Sequence, residues 1–148
     1  GWVATQSAQI HEGLMGIKSK STLCDSTGNQ FLASLSLRHG HRIVSQNLKL
    51  VRQNLTHLKQ FAQTYNNVFE WLPPQAGSIS LLKFKTHTDA YAFTIELAES
   101  AGVLILPGDL FYMQEPYIRL SLGSKSFPEA VNQIAHFLDT KFSWISFY

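Results

Sequence analysis

One arginine is placed by its neighbours for chemistry. In Tyr117-Ile118-Arg119-Leu120-Ser121-Leu122 aliphatic residues occupy every second position, and successive side chains of an extended segment point to opposite faces. Ile118, Leu120 and Leu122 are therefore expected to face a core, and Arg119 to share the other face with Tyr117 and Ser121. A guanidinium flanked by apolar strand residues suits a planar carboxylate, which it meets through a fork of parallel donors. An ordinary solvated strand face has the same pattern and asks nothing of its arginine. Alternation alone leaves both readings open.

The other reactive residue types offer less. His39 and His41 are two apart, which on a helix sends them to different faces. His11, His57, His87 and His136 are scattered, with no carboxylate at ligand spacing, so no metal site is expected. Cys24 is the single cysteine. It excludes an internal disulfide, suits a reducing, cytoplasmic setting, and reads as a small buried or loop thiol. A nucleophilic Cys24 would need a histidine brought beside it by the fold. Gly13 and Gly16 do not follow a strand, so they are no phosphate-binding loop.

These residues sit in a chain able to build a real core. It has 148 residues, 45% of them hydrophobic and 15% charged, with a mean hydropathy of -0.04. That is the size and balance of a single globular domain and not of a disordered segment. Twelve basic and ten acidic residues leave a net charge of +2. With no basic run, a nucleic-acid partner is not expected, although the sequence pI is near 8.8. No apolar run approaches a membrane span, and Gly1 to Thr5 lack the layout of a secretory signal, so no membrane association is expected.

The elements that must position Arg119 can be read from periodicity. From His41 to Tyr65, the residues Val44, Leu48, Val51, Leu55, Leu58, Ala62 and Tyr65 recur at spacings of four and three, the stripe of a helix. Asn54-Leu55-Thr56 matches a glycosylation sequon but falls within this helix and is read as chance. Phe31 to Arg38 is also helical, with Thr27 and Gln30 spaced as a capping box and a start near Gly28. Gly40 either interrupts one long helix or separates two. The long helix is expected to end near Asn66-Asn67. Val68 to Leu72 reads as a strand stopped by Pro73-Pro74, and Ser78 to Phe84 as another after the Ala76-Gly77 turn.

A helix follows from Thr88-Asp89 to Ala101, with Gly102 as its C-terminal cap. Val103 to Leu106 reads as a buried strand ended by Pro107-Gly108, and Tyr117 to Leu122 as a further strand. Ser126 and Glu129 form a second capping-box spacing, with Pro128 in the first turn and Val131, Ile134, Ala135 and Leu138 inward. The tail from Phe142 to Tyr148 is rich in aromatics. The order is helix, helix, strand, strand, helix, strand, strand, helix. It predicts an α+β fold with helices packed on one face of a small, largely antiparallel sheet.

The segment Gly102-Val103-Leu104-Ile105-Leu106-Pro107-Gly108-Asp109-Leu110-Phe111, followed by Tyr117-Ile118-Arg119-Leu120-Ser121-Leu122-Gly123, resembles the C-terminal signature of class I/II aminotransferases. In that family a strand ends in Pro-Gly, a variable loop follows, and the next strand carries an arginine. Phe127-Pro128-Glu129-Ala130 resembles the start of the family's final helix, and Trp71-Leu72-Pro73-Pro74-Gln75-Ala76-Gly77 its proline-then-glycine turn. Thr22 to Ser26 and Leu35 to Arg38 resemble one branch that includes enzymes acting on arginine-like amino acids. The match runs nearly end to end, and its order and spacing are more specific than any one motif.

The resemblance implies that residues 1–148 are the C-terminal small domain of an enzyme that depends on pyridoxal phosphate and transfers an amino group between an amino acid and a 2-oxo acid. It assigns Arg119 to the substrate α-carboxylate. It also implies a homodimer, with the loop from Cys24 to Thr27 near the dimer interface and the cofactor. Gly1-Trp2 resembles a pair found shortly after the lysine that binds the cofactor, so that lysine is expected to precede the chain. Lys18, Lys20, Lys49, Lys59, Lys83, Lys85, Lys125 and Lys141 do not match its motif. No catalytic or cofactor-binding residue is therefore assigned, and the chain alone is expected to be inactive. An oxidase, cyclase or decarboxylase on the same fold stays open, since fold does not fix reaction. So do a non-catalytic binding or dimerisation module and an unrelated α+β domain. Without a large domain, apolar surface on the early helices is expected to drive self-association.

Overall fold

The computed structural model describes residues 3–22, 24–86 and 88–142, and Gly1-Trp2, Leu23, His87 and the aromatic tail beyond Phe142 lie outside them. The described chain falls into two compact units, residues 1–43 and 44–148.

The first unit is helical. Helix α1 spans Ala8–Ser21, with the Ser7 side chain accepting from the Ile10 N–H, and α2 spans Thr27–Arg38. The sequence reading did not include α1. Gly13 and Gly16 lie inside it, and each weakens a helix by about 1 kcal/mol relative to alanine. The cap of α2 differs by one residue from expectation. Ser26, not Thr27, accepts from the Asn29 N–H, so the helix starts at Thr27. Neither helix buries a residue. Phe31, Leu32, Leu35 and Leu37 of α2 all stand exposed.

Helix α3, Gly40–Thr64, is separate from α2, with His39 as the C-cap of the earlier helix. Its expected stripe is buried only in its C-terminal half. Leu58 and Ala62 are buried, Val51 and Leu55 partly so, and Val44 and Leu48 are exposed. Phe61 joins the buried set.

In the second unit four strands form an antiparallel sheet in the order β1-β2-β4-β3: β1 Phe69–Trp71, β2 Ile79–Phe84, β3 Leu106–Pro107 and β4 Tyr117–Ser121. Register places Phe69 opposite Phe84, and Leu82 opposite both Trp71 and Ile118. Phe69, Leu82, Phe84, Ile118 and Leu120 thus form one buried face. It shares a single core with Leu58 and Phe61 of α3, Phe93 and Leu97 of α4 (Ala90–Ala101), and Val131, Ile134 and Leu138 of α5 (Phe127–Phe142). The fold is the α+β arrangement expected, with helices on one face of an antiparallel sheet.

Aromatic rings string this core together. Neighbouring centroids along Tyr65, Phe61, Phe69, Phe84, Phe93 and Phe137 lie 4.8, 6.0, 4.8, 4.9 and 5.7 Å apart. Tilted and edge-on pairs at such distances add to the burial of each ring.

Helix α4 begins and ends as its sequence directs. The Asp89 carboxylate accepts from the Ala92 N–H at 2.9 Å, and Gly102 closes the helix with a left-handed φ of 66°. The stretch after it does not form the buried strand expected. Val103 and Ile105 are buried, but Leu104 is 79% and Leu106 37% exposed. Only Leu106–Pro107 pairs with β4. A run of four aliphatic residues conceals alternation, because both faces are apolar in composition while only one is covered.

Asn54 fastens α3 to the end of β4. Its side chain is buried and donates through Nδ2 to the Leu122 carbonyl at 2.9 Å and the Ser124 carbonyl at 2.7 Å. Both amide hydrogens are used, so in the folded chain the sequon presents no free amide.

Candidate functional site

The uncovered face of the sheet is built from the alternate residues of the same strands. Along one row Leu106 and Leu81 flank Arg119, and along the next Tyr117 lies opposite Lys83, which in turn lies opposite Glu70. Tyr117 and Arg119 are half-buried and Ser121 is exposed, while Ile118, Leu120 and Leu122 are buried. The alternation read from the sequence holds across this strand. Arg119 projects from the interior of the sheet, since β4 has a hydrogen-bonded neighbour on each side.

The turn between β3 and β4 supplies the rest. Pro107 leads into a short 3-10 helix, Gly108–Phe111, which ends at Tyr112 in the left-handed region with φ 58°. A Cβ on Gly108 would lie 2.9 Å from the Cβ of Tyr117 and 3.2 Å from that of Met113. Only glycine lets the turn lie this close to β4. The turn carries Phe111 to Arg119, whose guanidinium carbon sits 4.5 Å from the centre of the ring. That is a cation–π stack. The sequence reading placed Phe111 in the signature but gave it no role. The signal was its position, a short turn after Pro107-Gly108 and ahead of the arginine strand.

Charge around the site is arranged so that Arg119 keeps its donors. A second cation on this face, Lys83, pairs with Glu115 at 2.7 Å. That hydrogen bond raises the Lys83 pKa against the opposing effect of burial. Among the described residues no carboxylate comes within ion-pair distance of Arg119. A guanidinium stacked on a ring, with leucines on both flanks and no acid against it among the described residues, can take a planar anion from outside.

The lysines are surface ammoniums. Lys18 pairs with Asp25 at 2.7 Å and holds that carboxyl below the usual carboxylate range. Lys141 pairs with Glu96. Lys20, Lys49, Lys59, Lys85 and Lys125 are exposed. A lysine that forms a covalent bond with a carbonyl needs a desolvated site. Cys24 is free and exposed in the loop between α1 and α2. Among the described residues no three of His, Cys, Asp and Glu gather as metal ligands would. No described helix is long and apolar enough to cross a membrane.

Fold and site together define a small α+β domain that carries Arg119 on an open sheet face. The chain belongs to the class I and II aminotransferase family, whose sequence model matches residues 1–138. It is 24% identical over 111 residues to capreomycidine synthase of Streptomyces vinaceus, a match covering 75% of this chain and 28% of that enzyme. Among solved structures it is similar to a PLP-dependent aminotransferase from Streptococcus suis 89-1591, with a TM-score of 0.80, 22% identity, and coverage of 90% of this chain and 36% of that one. The PLP-dependent cyclase OrfR gives a TM-score of 0.81, again at 22% identity, with coverage of 90% and 37%. The chain thus spans little more than a third of these structures and less of the synthase.

Proposed function

We propose that this chain is the C-terminal small domain of a pyridoxal-phosphate-dependent aminotransferase, and that Arg119 binds the α-carboxylate of its amino-acid and 2-oxo-acid substrates. The observation that carries the reading is the Arg119 guanidinium, half-buried on the uncovered sheet face and stacked on Phe111 with no carboxylate of the described chain against it. A bidentate arginine fixes the orientation of an amino acid, and positioning of that kind removes part of the activation barrier.

The cofactor, when bound, supplies the electron sink for the chemistry at the substrate's α-carbon. The described lysines do not fit its covalent attachment, which supports a parent enzyme whose lysine lies outside this chain and a chain that is inactive alone. The apolar exposure of α2 at Phe31, Leu32, Leu35 and Leu37 supports a homodimeric or domain-covered parent. The free thiol of Cys24 supports a cytoplasmic one. A cyclase is the second reading. It is favoured by the likeness to a PLP-dependent cyclase and by the match to capreomycidine synthase.

The test is a visible absorbance titration with pyridoxal phosphate, then borohydride reduction and peptide mapping, on this chain and on one extended N-terminally to the natural start of its gene. A single labelled lysine in the extended chain alone is the expected result. In that extended enzyme Arg119→Ala is expected to lower kcat/KM by about a hundredfold or more, the loss of a charge-assisted bidentate pair. A specific lysine labelled within residues 1–148, or an Arg119→Ala enzyme with unchanged kcat/KM, would overturn the assignment.

A further inference from the structure

We propose that Phe111 is a positioning residue for Arg119: its ring holds the guanidinium flat over the open sheet face, so that only the in-plane donors are presented to a carboxylate. The proposal rests on the assignment of Arg119 to the substrate carboxylate and goes beyond it to the ring that meets that arginine.

The argument starts from the freedom of an unrestrained arginine. Its side chain has four rotatable bonds, and ordering it costs on the order of 2 kcal/mol of rotamer entropy. A binding site in which the protein has already met that cost takes its ligand more tightly. Phe111 does this here from 4.5 Å. A ring against one face of a guanidinium leaves all its N–H groups free, because those donors lie in the plane of the group and not above it. A carboxylate in the same place would use up the donors. Phenylalanine orients the cation without competing for it.

The flanks act in the same sense. Leu106 and Leu81, the cross-strand neighbours of Arg119, carry no acceptor. Glu115, on the same turn as Phe111, is held by Lys83 at 2.7 Å. Phe111 itself is 42% exposed and lies outside the core. Its contribution to folding is therefore small, and its removal reads out on Arg119. Its placement is set by Gly108, whose close approach to Tyr117 and Met113 brings the 3-10 turn against β4.

The experiment compares Phe111→Leu, which keeps apolar bulk and removes the ring, with Phe111→Tyr, which keeps the ring. The cofactor-loaded enzyme extended to its natural start is titrated with propionate, a bare carboxylate, and with uncharged propionamide. Phe111→Leu is expected to weaken propionate roughly three- to thirtyfold and to leave propionamide unchanged, while Phe111→Tyr binds propionate like the parent. Without cofactor, the Arg119 side-chain protons in the same enzyme are expected to show an upfield ring-current shift. Phe111→Leu should abolish that shift and Phe111→Tyr retain it. Equal propionate affinity in parent and Phe111→Leu, or an Arg119 spectrum indifferent to Phe111, overturns the proposal. If Arg119→Ala weakens propionate while Phe111→Leu does not, only this inference falls. If Arg119→Ala also leaves propionate binding unchanged, the assignment of Arg119 itself falls.

Discussion

Replacing Asn54 with alanine should unfasten the strand that carries Arg119. The Asn54 side chain is 2% exposed and donates to two carbonyls from the segment that follows β4, one buried and one partly buried. In Asn54→Ala the Leu122 carbonyl loses its Asn54 donor, while the Ser124 carbonyl loses one donor and keeps the Phe127 N–H at 3.4 Å. A buried unsatisfied group costs about 1–3 kcal/mol. Allowing the full range for Leu122 and about 1 kcal/mol for the one bond lost at Ser124, whose carbonyl stays satisfied, the sum is about 2–4 kcal/mol. Total stabilities are about 5–15 kcal/mol, so this is a substantial share. For a chain of this size it corresponds to a fall in Tm of about 6–12 °C. Urea denaturation followed by circular dichroism measures it, with the midpoint moving and the slope unchanged. Asn54→Asp sharpens the test. A buried carboxylate facing two carbonyls is worse than alanine, but burial raises its pKa, and once protonated it regains one donor. Relative to the parent, the aspartate variant should therefore recover stability as pH falls. An alanine variant within about 0.5 kcal/mol of the parent, or an aspartate variant with no such recovery, would refute the account of Asn54 as a buried tie.

Two further predictions concern the backbone and pH. The Tyr65 hydroxyl donates to Asp139 at 2.8 Å, and burial, then that hydrogen bond, push its pKa up to about 12. A raised folded-state pKa contributes stability that is complete below the unfolded value of about 10 and is lost as pH rises through about 12. Tyr65→Phe should flatten the stability profile across that window, measured by urea midpoints against pH; an identical slope would show that the hydroxyl does not couple to folding. Gly102 and Gly108 should fail for different reasons. Gly102→Ala meets open space and suffers only from φ 66°, a cost of about 1–2 kcal/mol. Gly108→Ala forces the turn away from Tyr117 and should cost about 1–3 kcal/mol. It alone should also shift the Arg119 side-chain resonances, and equal spectra for the two variants would contradict the packing described.

Much of this fold was legible because local and tertiary demands agree. In β4 the aliphatic positions Ile118, Leu120 and Leu122 are the buried ones, and in α5 the residues Val131, Ile134 and Leu138 fall at helical spacing on the core side. Asp89 and Gly102 mark their own helix ends. Legibility failed where composition and environment part. The interior glycines of α1 obscured a helix that buries nothing within its own unit. The stripe on α3 was correct as a period, yet Val44 and Leu48 are exposed, and periodicity does not say how far along a helix its partner extends. At the site, alternation placed Arg119 on the uncovered face but could not say what meets it. Phe111 arrives through a turn whose geometry depends on Gly108 touching Tyr117, nine residues away in sequence. Pairing of that kind is a property of the folded chain and leaves no periodic trace.

The position of β4 between β2 and β3 has a consequence for how such a domain can diversify. A strand hydrogen-bonded along both edges is locked in register, because a slip of one residue would exchange every inward and outward side chain. The Arg119 α-carbon is therefore a fixed coordinate. Between β3 and β4, Gly108 and Phe111 pack against β4 and the Pro116 carbonyl accepts from the Phe84 N–H, while Tyr112 at the tip stands exposed. Insertions and deletions at that exposed tip are the ones that leave the ladder and the Phe111 contact intact. Under the role proposed for Arg119, the residue that holds the carboxylate and the tip free to vary lie on separate stretches of chain, so a lineage can rewrite the tip while the arginine stays where it was.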